Sequence, residues 1–573
     1  MSRPGVLSVR TINQYRRRDV IAYLGLRYYL DNTAARQDIW ARDVAAQLER
    51  TGTGGGYLLV KHFKELDDRG AANHRDIYIP RPNEALAEAA LIEACAQAGG
   101  LFQPSHNVYS YLLPEGNDRQ GVFRNYMDGL RSRHNSIAKA CEDDPDSIVC
   151  FRDLKKFYPS IRISLAHDVW GTACSSSTID PAFTALGHAL LERHGNESGG
   201  HLLTGPVFSH LIGNLILRGI DDLPLGDHVR VFRYVDDFTL VGRARDVAEA
   251  LKKIEDATGA LQLELHPADS PKSLDVPGSQ WLESKGDFQE APSEHSWMSL
   301  IGDVKYLLRW HPERAKDLGK MLSNEGIRLP MRDYSGAVDE ASFLTRAIQR
   351  MSWHWYRQRT RSITPHTVLE QARFLRGKYA VELEQLIGKL RSADAFGAKR
   401  YVPMARYRLG RLSYLAKTDA LLGVSELTEE LPQLRFHSEV ARAIATENVD
   451  RLVTLGPNAA QAAAQPLRTV TSRVTLSRQP STEAEEQSLV VLALNGIRPS
   501  DETGAGPNSE LHRFSVDGGS LHLMQSESKF IAEVSSLHGI GAPRHTDVLD
   551  TAFDFDEDLA LDAIDQARTS MSL

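Results

Sequence analysis

Two adjacent aspartates interrupt the most β-prone stretch of the chain, "VRVFRYVDDFTLVG" at residues 229–242. Side chains alternate between the two faces of a strand, so Val231, Arg233 and Val235 would share one face. Asp is disfavoured inside strands and is rarely buried. The pattern therefore predicts a β-hairpin that carries Asp236 and Asp237 at its tip. An ordinary turn is the alternative interpretation, because Asp favours turns.

Two like charges at a hairpin tip need compensation. Two-residue hairpin turns usually contain Asn-Gly or Asp-Gly, and adjacent carboxylates repel each other unless a cation neutralises them. A third carboxylate, Asp153, ends the apolar run of "IVCFRDLKKFYPSI" at 148–161. Asp153 beside the hairpin tip would provide the hard oxygen ligands that Mg²⁺ prefers. Two such ions, about 4 Å apart, stabilise the attacking and leaving oxygens of a phosphoryl transfer.

The length and composition set the broad class. At about 150 residues per domain, 573 residues predict three or four structural units. Four cysteines without metal-ligand spacing, and an N-terminus without an apolar signal segment, predict a cytoplasmic protein. No run of about 18 apolar residues occurs, so no membrane span is expected.

Charge is distributed unevenly along the chain. The formal net charge is −8, which argues weakly against a nucleic-acid partner. Residues 491–573 contain five Lys or Arg against fourteen Asp or Glu, whereas residues 351–420 contain fourteen against five. The chain therefore has a basic zone and an acidic tail.

The periodicity predicts an α+β fold. A strand at 75–80, a helix ending at Gly99, an apolar β-run from 148, a helix at 205–220, two strands at 229–242 and a helix at 246–261 are expected. Strand signals fade from about 300 to 480, where helical periodicity dominates, and 478–486 resembles a loop. The predicted units are an N-terminal helical segment (1–60), an α+β domain (61–290), a large all-α, helical-repeat-like domain (291–490) and an acidic C-terminal tail (491–573).

Three segments follow one another along the chain: "DLKKFYPSI" at 153–161, a Gly-Pro-x-x-Ser-x-x-x-x-Asn segment at 205–214, and a "YVDD" box at 234–237. In this order they resemble the motifs of reverse transcriptases, and the resemblance covers about residues 60–285. The resemblance implies a palm and fingers in the α+β domain. It also implies DNA synthesis from dNTPs with two Mg²⁺ ions, for which Mn²⁺ is a substitute.

The resemblance also implies individual roles. Asp153 and Asp236 would be the metal-binding, catalytic carboxylates, with Asp237 their neighbour and Leu154 among the metal- and substrate-binding positions. Tyr158 matches the aromatic residue that excludes a ribose 2′-OH, with a core aromatic as the alternative. The other substrate-binding positions implied are Gly205, Ser209, Asn214, Lys272 and Arg75.

Two of these residues have a more specific match. Lys272 matches a lysine that assists pyrophosphate departure, with a solvated surface lysine as the alternative. Arg75 matches an arginine that contacts the triphosphate, with Lys61 or Lys64 nearby. The chain departs from the family pattern at Thr204, where many reverse transcriptases have Gln, and at Leu112, where an Arg is usual.

The order of the predicted domains points to a subgroup of reverse transcriptases. Retroelement enzymes usually carry a three-helix thumb, whereas here a long helical stretch follows the palm and no HNH-type nuclease cluster is evident. This layout resembles the abortive-infection reverse transcriptases (AbiA and AbiK types) and the related defence-associated "unknown group" of bacteria. That resemblance implies antiphage defence, DNA synthesis without a conventional template, homo-oligomeric assembly and, in some members, a protein primer that stays attached to single-stranded DNA.

An arginine-rich segment lies in the basic zone. "WHWYRQRTRS" at 353–362 interleaves aromatic residues with Arg357, Arg359 and Arg361. Such a combination is typical of surfaces that bind single-stranded nucleic acid. An amphipathic helix with solvated arginines is the alternative.

Three functions remain open from the sequence. The first is a DNA polymerase in antiphage defence. The second is a retroelement-type reverse transcriptase that copies a defined non-coding RNA. The third is a polymerase fold that binds nucleic acid without catalysis. The presence of Asp153, Asp236, Asp237 and Tyr158 favours an enzyme.

Overall fold

The structure is a computed structural model that describes residues 56–67, 69–114, 121–285, 296–329, 331, 363–501 and 504–517, together with residues 10, 11, 14 and 15. Most of the predicted N-terminal segment and most of the predicted acidic tail lie outside these residues. The described fold is a mixture of helices and small sheets, so the predicted α+β class is confirmed. Within the described part of the chain, no helix is both long and apolar enough to cross a membrane.

An antiparallel ribbon begins the described region. Strands β1 (Tyr57–Leu66) and β2 (Ala72–Pro80) pair with each other, and helix α1 (Pro82–Ala98) follows. A proline in the first turn suits the start of α1, and Gly99, at φ +65°, ends it. The strand predicted at 75–80 and the helix predicted to end at Gly99 are confirmed.

A four-stranded antiparallel sheet forms the centre of the next region, with the spatial order β4-β5-β3-β6. Its strands are β3 (Ile148–Asp153), β4 (Arg230–Tyr234), β5 (Asp237–Gly242) and β6 (Leu274–Pro277). The helices of this region are α2 (Tyr126–Asp143), α3 (Phe157–Ser160), α4 (Ile163–Ser175), α5 (Pro181–Ser198), α6 (Val207–Asp221), α7 (Ala244–Ala260) and α8 (Gly278–Leu282). The predicted hairpin, the predicted β-run and the two helices predicted beside them are confirmed.

The two faces of this sheet pack in different cores. Cys150 on β3 and Leu240 on β5 belong to the large hydrophobic core, which also contains residues of α6 and α7. Val149 and Phe151 point to the other face and pack in a smaller cluster with residues of α2 and α8. Asp153 follows Phe151 by two residues, so its side chain projects on the face of the smaller cluster.

Helices dominate the remainder of the described chain. They are α9 (Trp297–Trp310), α10 (Ala315–Asn324), α11 (Pro365–Arg391), α12 (Ala395–Leu415), α13 (Thr418–Thr428), α14 (Arg435–Thr446), α15 (Asp450–Thr454), α16 (Pro457–Arg468), α17 (Glu483–Leu494) and α18 (Glu510–Asp517). We call this part of the molecule, from α9 onwards, the helical region.

The helical region is not purely α-helical, which corrects the all-α prediction. Strands β7 (Arg473–Leu476) and β8 (Arg498–Asp501) form a small parallel sheet. Strands of four residues are too short for side-chain alternation to reveal. The predicted loop at 478–486 is also partly wrong, because α17 begins at Glu483 with a capping box between Thr482 and Glu485. The predicted boundary between residues 490 and 491 falls inside α17.

The helical region covers the edge of the ribbon. The Lys61 amide donates to Gln487 Oε1 at 2.9 Å, and Gln487 Nε2 donates to the Leu59 carbonyl at 3.1 Å. The Phe63 amide donates to Asn458 Oδ1 at 3.1 Å. These side chains satisfy backbone groups that an edge strand would otherwise leave exposed. The ribbon is therefore fixed against α16 and α17.

Gly205 provides a test of how the ribbon meets the central sheet region. Gly205 has φ +123°, and an added Cβ would lie 2.5 Å from the Tyr78 carbonyl oxygen of β2. We expect Gly205→Ala to reduce the free energy of unfolding by about 2 kcal/mol or more, from backbone strain and steric overlap. Thermal unfolding measures this effect. The control is Gly219→Ala in α6, where an added Cβ meets no atom within 4 Å and where alanine should stabilise by up to about 1 kcal/mol. Equal melting temperatures for Gly205→Ala and the wild type would contradict the close contact.

Candidate active site

Two strand ends place Asp153 and Asp237 opposite each other. The two residues are direct partners in the antiparallel pairing of β3 with β5, and directly opposed side chains project to the same face of a sheet. Asp153 is 4% exposed and Asp237 is 6% exposed. Asp236 lies in the adjoining turn, where its carbonyl accepts from the Leu154 amide at 3.3 Å. The structure thus brings together Leu154 and the three aspartates singled out in the sequence.

The turn of the hairpin consists of Val235 and Asp236. Tyr234 pairs with Asp237 across the hairpin, which leaves two residues for the turn. The sequence analysis placed Asp236 and Asp237 together at the tip, and this detail is wrong, because Asp237 already belongs to β5. Asp237 is therefore positioned by the sheet, whereas Asp236 is positioned by the turn.

The turn adopts a backbone conformation that valine rarely adopts. Val235 has φ +57°, and such a conformation costs about 1–3 kcal/mol for a residue other than glycine. Two hydrogen bonds stabilise this conformation of Val235. The Val235 amide donates to the Ser110 hydroxyl at 2.7 Å, and Arg233 Nη1 donates to the Val235 carbonyl at 2.7 Å.

Arg233 is itself fixed by a buried ion pair. Arg233 is 1% exposed and meets Asp221 of α6 in a bidentate contact, with Nε–Oδ1 at 2.6 Å and Nη2–Oδ2 at 2.7 Å. Arg233 Nη1 also donates to Asn214 Oδ1 at 3.1 Å. Bidentate charge-assisted pairs are geometrically specific. The structure therefore places Asn214, which the resemblance assigned to substrate binding, among the residues that support the turn.

Burial and mutual repulsion act on the carboxylates. Burial raises the pKa of Asp236 to about 7, and the charge of Asp153 acts in the same direction. Burial and the charges of Asp236 and Asp153 raise the pKa of Asp237 well above its usual range. These carboxylates carry unfavourable like charge when ionised, which a divalent cation would relieve.

Both basic residues predicted at the site lie near the carboxylates. Lys272 Nζ is 2.9 Å from Asp153 Oδ2. Arg75 on β2 is partly buried, and its positive charge opposes the rise in the pKa of Asp236. Their assigned roles towards pyrophosphate and triphosphate stay predictions.

Two further basic residues near Asp237 were missed in the sequence. Arg133 on α2 is buried and donates to the Thr239 hydroxyl. Lys399 on α12 lies over the ring of Phe151. The positive charges of Arg133 and Lys399 both oppose the rise in the pKa of Asp237. Both residues lie far from Asp237 in the chain and have no motif around them, so the sequence offered no signal.

Tyr158 lies on the short helix that follows β3. Its hydroxyl is 2.6 Å from His210 Nδ1, and it is 9% exposed. The His210 ring stacks on Tyr111, with centroids 3.8 Å apart and planes 5° apart. The orientation of the Tyr158 ring is therefore fixed from the α6 side. Its role in sugar selection stays a prediction.

Gly205 and Ser209 make contacts inside the protein. Gly205 approaches β2, where the Tyr78 amide donates to the Thr204 carbonyl at 2.8 Å. Ser209 has no exposed surface, and its hydroxyl lies 3.5 Å from His194 Nδ1. These contacts fix the segment that leads into α6, and the substrate-binding roles of Gly205 and Ser209 stay predictions.

The donor set suits Mg²⁺ in its chemistry. Asp153, Asp236 and Asp237 offer the carboxylate oxygens that Mg²⁺ prefers. Burial and like charge raise the pKa of Asp236 and of Asp237, and nearby positive charge favours the ionised form of such carboxylates. Among the described residues, no three His, Cys, Asp or Glu side chains form a ready-made metal-binding group. Asp153 is instead bonded through Oδ2 to Lys272.

The predicted arginine patch cannot be placed. Arg357, Arg359 and Arg361 lie outside the described residues. Their contact with nucleic acid stays a prediction.

A scan against protein-family models gave no match, and a search of curated proteins gave none either. The functional assignment therefore depends on the sequence motifs and on the geometry of the site.

The buried pair between Arg233 and Asp221 predicts that the loss of one charge destabilises the protein more than the replacement of both residues. Asp221→Asn leaves the Arg233 guanidinium buried without a counter-charge, and we expect a loss of about 3–5 kcal/mol in the free energy of unfolding. The double variant Arg233→Met, Asp221→Leu should recover part of this loss, because an apolar pair avoids the desolvation of two charges but gives up the hydrogen bonds of Arg233 to Asn214 and Val235. Chemical unfolding checks both values. A double variant less stable than Asp221→Asn would contradict this account of the pair.

Proposed function

We propose that the chain is a nucleotidyltransferase of the reverse-transcriptase type that synthesises DNA from dNTPs. One observation carries the proposal. Asp153 faces Asp237 across two antiparallel strands, and Asp236 adjoins them in a constrained turn. Carboxylates grouped in this way suit the two-metal chemistry of phosphoryl transfer. The order of the three sequence segments supports the same class.

The residues of the site have complementary tasks in this proposal. Asp153, Asp236 and Asp237, with Leu154 beside them, would hold Mg²⁺ or Mn²⁺. Bound metal ions would stabilise the charge that develops on the attacking and leaving oxygens. Arg75, from the ribbon, would bind the triphosphate of the incoming dNTP.

The proposed biological role is antiphage defence of the abortive-infection type. It is supported by the resemblance and by the large helical region that follows the central sheet. DNA synthesis without a conventional template, attachment of the single-stranded product to the protein and a homo-oligomeric state belong to this proposal. Sequencing the DNA that remains attached to the purified protein tests it. Attached DNA that is complementary to one defined non-coding RNA would instead favour a retroelement-type enzyme.

The ion pair between Lys272 and Asp153 favours a second candidate function. Lys272 is bonded to Asp153, one of the carboxylates proposed to hold metal. This arrangement is compatible with a polymerase fold that binds nucleic acid without catalysis. The two candidates differ in one property, which is Mg²⁺-dependent incorporation of dNTPs by the purified protein. Only the enzyme should show it.

Removal of the carboxylate charges should abolish incorporation. We expect the double variant Asp236→Asn, Asp237→Asn to lose at least about 100-fold in incorporation rate, because electrostatic stabilisation of the transition state is removed. Incorporation of labelled dNTPs in Mg²⁺ measures this. The control is Asp275→Asn, a carboxylate on β6 that pairs with Arg152 on the other face of the sheet. Undiminished incorporation by the double variant would refute the proposed enzyme.

Tyr158 should determine the choice of sugar. Tyr158→Ala should admit ribonucleotides, because removal of the ring leaves room for a 2′-OH. Tyr158→Phe should still exclude them, since it keeps the ring and loses only the hydrogen bond to His210. Competition between matched dNTPs and NTPs measures the preference. If Tyr158→Ala retains the wild-type preference, the residue serves only in packing.

A further inference from the structure

Lys399 brings a charge from the helical region to the catalytic face of the sheet. Its Nζ lies 4.4 Å from the centroid of the Phe151 ring. Phe151 precedes Asp153 by two residues on β3, so the two side chains share one face. The ammonium group is therefore next to the end of the sheet where Asp153 and Asp237 meet.

The position of Lys399 is fixed by contacts on either side of it. Phe396 lies one turn earlier on the same side of α12, with its ring centroid 5.9 Å from that of Trp281. Arg400 pairs with Glu283, with Nη1 3.6 Å from Oε2. These contacts hold the start of α12 against α8, so the placement of Lys399 follows from the packing between the helical region and the sheet.

The ammonium group of Lys399 has hydrogen-bond donors that no described residue accepts. An ammonium group has three donors. Lys272 uses its ammonium group to bind Asp153. For Lys399, no hydrogen bond or ion pair with the described residues is found, and its contact is with the face of an aromatic ring. A cation with open donors beside a phosphoryl-transfer site is suited to an anionic ligand.

Arg75 and Lys399 belong to different parts of the molecule. Arg75 comes from the ribbon and acts on Asp236. Lys399 comes from the helical region and acts on Asp237. A polymerase site must hold two phosphate-bearing reactants, the incoming nucleotide and the growing strand. If Arg75 binds the incoming nucleotide, Lys399 is available to bind the growing strand.

We propose that Lys399 binds a backbone phosphate of the growing DNA strand, so that the helical region takes a direct part in holding the product. This inference rests on the proposed function. The same ammonium group could meet a phosphate of the incoming dNTP, which has the same chemistry. The two sources are separated by measuring strand binding and nucleotide saturation independently.

The first measurement is the binding of a fluorescein-labelled single-stranded oligodeoxynucleotide to the full chain in Mg²⁺, without dNTP, over a range of salt concentrations. Lys399→Gln and Lys399→Met should each bind about ten-fold more weakly, as expected for one charge-assisted contact. The slope of log affinity against log salt should become shallower by about 0.7, the value for one single-strand phosphate. Lys399→Arg should retain most of the affinity, because it keeps the charge.

The control variant is Lys378→Gln on α11, an exposed lysine that lies 3.9 Å from Glu382. It should bind as the wild type does. Circular dichroism and thermal unfolding identify variants that fail to fold, and Lys399→Met removes the charge while it keeps an unbranched apolar side chain.

The second measurement is the saturation of incorporation by dNTP. Lys399→Gln should leave the dNTP KM within about two-fold of the wild type, because its contact is with the strand. An increase in the dNTP KM with unchanged strand binding would overturn the inference. Wild-type strand affinity and salt slope in folded Lys399→Gln and Lys399→Met, or no strand binding by the wild type, would overturn it too. Strand binding requires no catalysis, so failure of the proposed enzyme appears separately, as the absence of dNTP incorporation by the wild type.

Discussion

The buried contact between Arg233 and Asp221 sets the geometry on which the site depends. A buried ion pair adds little net stability, because both charges lose their hydration. This pair is instead placed where it fixes a conformation. Arg233 holds the carbonyl of Val235, a valine with positive φ. The conformation of that turn determines where Asp236 lies relative to Asp237.

The carboxylates set a second constraint, because their charges must be balanced by groups from different parts of the chain. Lys272 is bonded to Asp153, and Arg75 approaches from the ribbon. Arg133 and Lys399 approach from α2 and α12. The electrostatics of one sheet end therefore depend on the packing of the ribbon, the central sheet and the helical region together. A change in the position of the helical region would alter the charge around Asp237, which links the largest part of the molecule to the site.

The elements with strong local patterns could be predicted from the sequence. The hairpin, β3 and the amphipathic helix α7 follow from alternation and helical periodicity. Asp153 and Asp237 face each other because β3 ends in Asp and the strand that pairs with it begins with Asp. The position of the turn could not be predicted, because valine at positive φ is a tertiary effect held by Ser110 and Arg233.

Other features of the site were missed for physical reasons. Lys399 and Arg133 reach the carboxylates through long-range packing and have no local signature. Ser209 and Asn214 match a family motif, yet Ser209 lies 3.5 Å from His194 and Asn214 bonds Arg233. The short strand β7 gave too few residues for a periodicity, whereas the capping box at Thr482 and Glu485 was present in the sequence and could have predicted the start of α17.

The central claim is that the three carboxylates form a metal site for a nucleotide. Titration of the purified protein with Mn²⁺, followed by electron paramagnetic resonance with a non-hydrolysable dNTP analogue, tests it most directly. The account predicts two bound Mn²⁺ ions per chain in the wild type, and loss of this binding in the Asp153→Asn variant. Equal Mn²⁺ binding by the wild type and the variant, or no binding by the wild type, would contradict the claim.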